Sequence, residues 1–309
     1  MKVAVTGAFG YSGRYIAQRL LAAGHGVITL TNSLKREHPF GDKVRPYPFN
    51  FDQPARLTET LQGVDALINT YWVRFEHPLF SQDQALANTK TLFHAAKRAG
   101  VRRIVHVSIT NPDPASNLPY FRAKAEAESA LKSLGASYCI LRPAVLFGKE
   151  DVLVNNIAWT LRRLPVFAVF GSGDYKLQPI YVDDLAAVAA AKAAEDRDEV
   201  LNAIGPETFT YRELVQTIRR ALGLKRLIVS VPPELGYWGC RALGLLVQDV
   251  VVTREEMRGL MENRLYVDAP PLGATKLTDW INLHWKTLGR CYTSELARRV
   301  DRLSQYGPN

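Results

Sequence analysis

Val3-Ala4-Val5-Thr6-Gly7-Ala8-Phe9-Gly10-Tyr11-Ser12-Gly13, running on into Arg14-Tyr15-Ile16-Ala17, sets the fold expected of the whole chain. The apolar, β-branched start has the pattern of a buried strand, and a helical pattern takes over after the third glycine. Strand, glycine turn and helix in that order are the context in which this glycine spacing marks a dinucleotide site. Gly7 supplies the tight turn, Gly10 lets the backbone approach a pyrophosphate, and Gly13 lets the helix pack close to the strand. Amide groups at the helix start attract the anion. Phe9 and Tyr11, between the glycines, are assigned to the same cofactor site. A glycine-rich turn with no ligand is the competing explanation.

A chain of 309 residues can bury a sizeable core, as one large domain or two unequal lobes. With 47% hydrophobic and 22% charged residues, it has the composition of an ordinary globular protein. Strand one follows the first residue directly, so no targeting leader is expected and a cytoplasmic location is inferred. Cys139, Cys240 and Cys291 are far apart and in no metal-ligand spacing, which suits buried apolar roles in a reducing compartment and predicts no metal. The net charge of +9 comes from scattered cations in short groups such as Lys35-Arg36, Arg102-Arg103, Arg162-Arg163 and Arg298-Arg299. Nucleic-acid binding would call for a basic face with a recognisable module, and the sequence has none. Attraction to anionic cofactors, acidic partners or a negative membrane surface is compatible with the charge.

Onward from the glycines the pattern alternates strand and helix, predicting an α/β fold with a doubly wound parallel sheet. Helix one is expected over 13–23, with Ile16, Leu20 and Leu21 inward, and strand two over 26–31. In NAD-preferring folds an acidic residue at the end of strand two binds the adenosine ribose. Here Thr31-Asn32-Ser33-Leu34-Lys35-Arg36 holds no carboxylate and two cations. NADP(H) is therefore favoured, NAD(H) stays open, and Asn32, Lys35 and Arg36 are candidate contacts. Strand three is expected over 44–51. Asp52 after it is placed to accept from the adenine amino group or to cap the next helix, 55–61. Strand four, 64–70, should pass beside the cofactor at its C-terminal end, which brings Thr70 and Tyr71 to the site. The aromatic run Tyr71-Trp72-Val73-Arg74-Phe75 either lines a substrate pocket or packs a loop.

A helix over 82–99, with Leu86, Phe93 and Ala96 inward, precedes strand five, 103–108. After a polar loop, Tyr120 and Lys124 stand at i and i+4, one turn apart on a single helix face. A phenol has an ordinary pKa of about 10. A neighbouring ammonium and the positive charge of an oxidised nicotinamide bring its phenolate closer to working range. Lys124 can also hold the nicotinamide ribose, and Ser108 and Thr110 at the strand end can bond a substrate oxygen. The alternative is a surface tyrosine and lysine on an ordinary amphipathic helix.

Together, Thr6-Gly7-x-x-Gly10-x-x-Gly13, Asp52, Asn88-Thr89, Ser108, Tyr120-x-x-x-Lys124, Leu141-Arg142-Pro143 and Gln178-Pro179-Ile180-Tyr181-Val182-Asp183-Asp184 resemble the extended and atypical short-chain dehydrogenase/reductases. The subgroup most similar is that of the nucleotide-binding accessory subunit of respiratory complex I and its bacterial relatives. Gly273-Ala274-Thr275-Lys276-Leu277-Thr278-Asp279-Trp280 and Thr287-Leu288-Gly289-Arg290 are similar to those relatives too. The resemblance implies an NAD(P)-binding Rossmann domain with a smaller, mostly C-terminal α/β lobe. It implies Asn88 in a helix supporting a proton relay, Arg142-Pro143 beside the nicotinamide, and a catalytic set of Tyr120, Lys124 and Ser108 or Thr110. It also implies pairing of the helices carrying Asn88 and Tyr120 in a homodimer. Ser108 lies closer to Tyr120 in sequence than in the extended enzymes, and many atypical members bind the cofactor without known turnover.

The expected division is a Rossmann domain over 1–150, with 174–200 returning to it, and a smaller lobe from 151–173 and 201–309. The return runs through Gln178–Val182 to the sheet, with Asp183 or Asp184 capping the helix that follows. Leu201–Ile204 is expected as a small-lobe strand. Thr210-Tyr211-Arg212-Glu213 and Thr253-Arg254-Glu255-Glu256 are capping-box patterns. Leu235 to Val252 is the most apolar stretch, too charged at Arg241 and Asp249 to span a membrane. A small-lobe core helix is the first expectation for it, against a lid, a partner-docking face or a membrane-surface helix. Two functions fit the sequence. One is an NADP(H)-dependent oxidoreductase or epimerase acting on a small or apolar carbonyl or alcohol. The other is a non-catalytic NADP(H)-binding accessory, assembly or redox-sensing protein with peripheral membrane or protein-complex contacts.

Overall fold

The computed structural model describes residues 1–304. Residues 305–309, assigned to the smaller lobe from sequence, lie outside the described residues. The chain divides into two compact units, one holding Met1–Pro143 and Val182–Ala203, the other Ala144–Tyr181 and Ile204–Asp301.

Unit 1 opens with β1 (Lys2–Thr6), α1 (Tyr11–Ala22), β2 (Gly26–Leu30), β3 (Val44–Tyr47), α2 (Pro54–Leu61) and β4 (Ala66–Asn69). It continues with α3 (Gln82–Arg98), β5 (Arg103–Val107), α4 (Pro119–Lys132) and β6 (Ser137–Pro143). The chain then enters unit 2 through β7 (Val145–Phe147), α5 (Leu153–Arg163), β8 (Val166–Phe170), β9 (Lys176–Leu177) and β10 (Pro179–Tyr181). It returns to unit 1 with α6 (Val182–Lys192) and β11 (Glu199–Ala203). Unit 2 is completed by β12 (Phe209–Thr210), α7 (Tyr211–Ala221), β13 (Leu227–Val231), α8 (Pro233–Val247), α9 (Arg254–Met261), α10 (Leu277–His284) and α11 (Glu295–Val300).

The seven strands of unit 1 form one sheet in the order β11-β6-β5-β4-β1-β2-β3, and every pairing in it is parallel. Strands covered on both faces must be apolar almost throughout, which is how Ala4-Val5, Leu67-Ile68, Ile104-Val105 and Ile140-Leu141 read. The strand order reverses direction between β1 and β4, where a doubly wound sheet leaves a crevice beyond its C-terminal ends. Helix starts are marked locally: the Ser81 hydroxyl accepts from Gln84 at the start of α3, and Pro119 occupies the first turn of α4.

Several expectations are corrected. Strand three ends at Tyr47 rather than Phe51, because Pro46 and Pro48 withhold ladder donors and only an edge strand tolerates that. Residues 199–203 are not a small-lobe strand; β11 is the opposite edge of the main sheet, with Leu201 aligned to Leu141 of β6. The segment around Pro179 does not rejoin that sheet. β10 pairs with β7 in a two-stranded ribbon of unit 2, and the return begins at α6. Asp183 lies in the first turn of α6, where its carboxylate takes a two-pronged bond from Arg19 of α1 at 2.5 and 2.8 Å. That ties the two helices packed on one face of the sheet.

In unit 2, the two-stranded pairs β7–β10, β9–β12 and β8–β13 surround a core that includes Phe147, Leu161, Leu214, Ile218 and Trp280. Capping boxes open α7 at Thr210 and α9 at Thr253, as the sequence pattern predicts. Helix α8 is not a core helix: Gly236 and Gly244 are its buried residues, while Leu235, Trp238, Leu245 and Leu246 face outward. The glycines explain this. A Cβ on Gly244 would meet the Asp249 carbonyl oxygen at 2.6 Å, and one on Gly236 would meet Val231 at 3.0 Å, so the helix makes its tightest contacts through bare backbone. Among the described residues, no helix is long and apolar enough to cross a membrane.

Arg103, 2% exposed, bonds the carbonyls of Tyr138, Lys192 and Arg197 and the Ser137 hydroxyl, tying β5 to β6 and to the α6–β11 connection. Arg103→Ala strands these acceptors and should cost about 3 kcal/mol in urea unfolding. Gly13→Ala drives a Cβ to 2.7 Å from the Gly7 carbonyl carbon and should cost about 1–3 kcal/mol in the same measurement.

Candidate functional site

The glycine turn is built from backbone. Gly7, at φ +69°, donates to Leu30 at 2.9 Å, and Gly10 donates back to the Gly7 carbonyl at 2.8 Å. Ala8 donates to the Thr29 hydroxyl at 2.9 Å. Gly10 is the N-cap of α1 and no side chain caps that helix, the arrangement that suits a pyrophosphate. A Cβ on Gly13 would meet the Gly7 carbonyl carbon at 2.7 Å, so only glycine lets α1 start this close to β1 and leaves its first amides at the turn. The Phe9 side chain is buried and stacks on His38 at 3.8 Å with ring planes 7° apart. It pins the loop from inside. Tyr11 is half-buried, edge-on to Tyr15.

Beyond the ends of β2 and β3 lies a cavity of about 370 Å³ lined by Asn32, Phe49, Asn50, Phe51, Asp52, Gln84 and Asn88. It unites the predicted Asn32 and Asp52. Asp52 does not cap α2, whose N-cap is Gln53, and its carboxylate is exposed. Lys35 and Arg36 do not line the cavity. Lys35 is exposed in its loop, whereas Arg36 is buried, so the two cations are not presented side by side. Phe49 and Phe51 stack at 4.7 Å, and each meets the Tyr71 ring at 5.1 Å. Gln84 donates to Asn88, which donates to the Tyr71 hydroxyl at 2.8 Å. Asn88 therefore lines the cavity itself and also holds Tyr71. The roles of Phe49, Phe51 and Gln84 escaped sequence reading because their shared wall exists only after strands and helix meet. Asn50, at φ 47°, is the turn residue that swings the phenylalanines together.

Thr6 joins this cavity to the sheet interior. Its hydroxyl donates to Asn69 Oδ1 at 3.0 Å and accepts from the amides of Thr70 and Tyr71, while the Thr70 hydroxyl donates to the Thr6 carbonyl. Because Asn69 Oδ1 is an acceptor, its amide nitrogen donates to His106 Nδ1 at 3.1 Å. The His106 proton is thereby placed on Nε2, and burial together with the Lys124 charge holds its pKa well below the usual value. His106 is a neutral imidazole.

At the opposite end of α4 from its C-cap stand Tyr120 and Lys124. Tyr120 is half-buried. Lys124 is 2% exposed; its ammonium donates to the Val107 carbonyl at 2.9 Å and lies 4.1 Å from the centre of the Trp72 ring. It is 6.0 Å from the centre of the Tyr120 ring. Desolvation pulls its pKa down to about 7, with nearby Glu128 pulling the other way. Trp72 is held in turn by a bond from its indole N–H to Gln82 at 2.9 Å. The Ser108 hydroxyl donates to Glu128 at 2.6 Å, and Arg142 clamps the same carboxylate at 2.9 and 2.5 Å. Thr110 is fully buried, and its amide donates to the Pro143 carbonyl at the end of β6. Glu128 was missed, although its spacing four residues beyond Lys124 signals the shared helix face.

Residues 3–204 match the NAD dependent epimerase/dehydratase family. The chain is 28% identical over 239 residues to the mitochondrial NADH-ubiquinone oxidoreductase 40 kDa subunit of Neurospora crassa, covering 75% of this chain and 63% of that one. It is 28% identical over 223 residues to the NADH dehydrogenase 1 alpha subcomplex subunit 9 of Arabidopsis thaliana, covering 69% and 56%. The chain thus spans about three fifths of the length of these relatives. It is 30% identical over 239 residues to the photosystem II assembly factor Ycf39 of Cyanophora paradoxa, covering 75% and 72%. In fold it matches the Citrobacter triphenylmethane reductase complexed with NADP(H), at a TM-score of 0.76 and 18% identity over 92% of this chain and 99% of that one. It also matches the Escherichia coli quinone oxidoreductase QOR2 complexed with NADPH, at 0.74 and 21% identity over 92% and 100%. With its glycine cradle, its parallel sheet and a family match over most of unit 1, the chain belongs to the NAD dependent epimerase/dehydratase family of extended short-chain dehydrogenase/reductases.

Proposed function

We propose that the protein binds NADP(H) as an accessory or assembly-type module, holding the dinucleotide rather than turning over a free substrate with it. The carrying observation is the state of Lys124 and Ser108. Lys124 directs its ammonium to the Val107 carbonyl beneath Trp72, and Ser108 commits its proton to Glu128. A lysine that supports a tyrosine and a ribose, and a hydroxyl that bonds substrate, would each need the opposite orientation. The adenosine end, by contrast, has an open cavity at Asn32 and Asp52. Gly7, Gly10 and Gly13 would hold the pyrophosphate, and Asn32 and Asp52 the adenosine. NADP(H) is favoured over NAD(H) because positions 31–36 offer no carboxylate to a ribose. Complex I subunits and a photosystem II assembly factor among the relatives support membership of a larger assembly.

Tyr120 supports a second function. Half-exposed, with the Lys124 ammonium 6.0 Å from its ring, it keeps the pair needed for an oxidoreductase or epimerase. There Tyr120 would exchange a proton with the substrate oxygen, Lys124 would favour its phenolate, and the dinucleotide would supply hydride. Thr110 and Pro143 would border that site. Turning Trp72 and Lys124 outward would have to come first.

Calorimetric titration should show NADPH binding about tenfold or more tighter than NADH, with no NADPH oxidation across carbonyl and quinone panels. Turnover that Tyr120→Phe abolishes would establish the enzyme instead. Lys124 provides a pH test. Its folded pKa, about 7, lies below its ordinary 10.5, so between those values the unfolded chain holds the extra proton. Its contribution therefore makes stability rise with pH across that window and is most unfavourable below pH 7. Lys124→Met should remove the rise, gaining most over wild type in acid, by up to about 1.4 kcal/mol per pH unit of window in urea unfolding.

A further inference from the structure

We infer that α8 is a docking element for an anionic lipid bilayer surface. At 3.6 residues per turn, Leu235, Trp238, Gly239, Ala242, Leu245 and Leu246 fall within an arc of about 120°. All six are exposed, the four large ones by 62%, 58%, 82% and 83%. Beside them, the outward face of the β8–β13 pair adds Val166, Leu227 and Val229. Gly236 rests on Phe170 and Val231, the last residues of those same two strands. The helix stripe and the strand face therefore look out on one side of unit 2.

Charge selects the occupant. Arg163 and Lys225, before β8 and β13, and Arg241 on the flank of α8 are exposed cations around this apolar side. Glu234, the acidic residue of α8, is met by Arg254 at 2.9 Å, and Arg254 also covers the Tyr237 ring at 4.4 Å. The rim is thus cationic on a chain of net charge +9. A fluid apolar layer accepts an exposed stripe of leucines with a tryptophan among them, and anionic headgroups match the rim. The inference rests on unit 2 alone, so the fate of the dinucleotide proposal leaves it untouched.

The test is co-flotation of the full chain with vesicles of phosphatidylcholine alone or with about 30% phosphatidylglycerol. The protein should float with the anionic vesicles, about tenfold less with neutral ones, and less as salt rises. Tryptophan emission should shift to the blue on binding, and Trp238→Phe should remove that shift. Leu245→Glu with Leu246→Glu should cut flotation about tenfold or more, while circular dichroism stays native. Absence of flotation with anionic vesicles overturns the inference, as does flotation that the double variant leaves intact. A dimer in analytical ultracentrifugation that the double variant dissociates overturns it in favour of a second copy as occupant.

Discussion

The contact between Gly13 and the carbonyl of Gly7 is the constraint on which the nucleotide site depends. With no side chain at position 13, α1 starts close enough to β1 for Gly10 to bond back to that carbonyl. The helix axis is then fixed relative to the sheet, and so is the point where its dipole can meet an anion. Thr6, one residue before the turn, carries the same geometry sideways into β4 and β5 through Asn69 and His106. A backbone approach of atomic dimensions thus determines where Thr70, Tyr71 and the aromatic wall beside the cavity stand.

Beyond the end of β5 the polar groups bond one another. Glu128 takes bonds from Arg142 and Ser108 and is also paired with Lys132 at 3.8 Å. Lys124 has a carbonyl and an indole face in place of water, at the cost of a much weaker hold on its proton. Ser108 and Lys124 are thereby both bonded inside the protein, while Tyr120 is half-buried.

What the sequence showed reliably was local. The glycine spacing, the capping boxes at Thr210 and Thr253 and the core strands are written in neighbouring residues, so they need no knowledge of the fold. Features that depend on distant partners are not legible there. Residues 199–203 form an edge of the main sheet because β6 lies open to receive them, and nothing in Glu199-Val200-Leu201 says so. The direction of the Ser108 hydroxyl depends on Glu128, a turn beyond the motif that drew attention. An apolar run over 235–252 suggested a buried helix, since hydrophobicity does not say which face finds cover. Glycines 236 and 244 were the clue to the opposite outcome.

The return of the chain to β11 has a consequence for how the protein is made. Unit 1 lacks its last strand until residues 199–203 have left the ribosome, after the whole of β7 to β10. Throughout that interval β6 is an unpaired edge, open to the wrong neighbour. Arg103 meanwhile has two of its carbonyl partners, those of Lys192 and Arg197, still unsynthesised. Completion of the sheet is therefore a late event in translation, with long-range closure setting its pace. A nascent chain stalled between residues 143 and 199 carries the glycine turn but not the strand that closes the sheet.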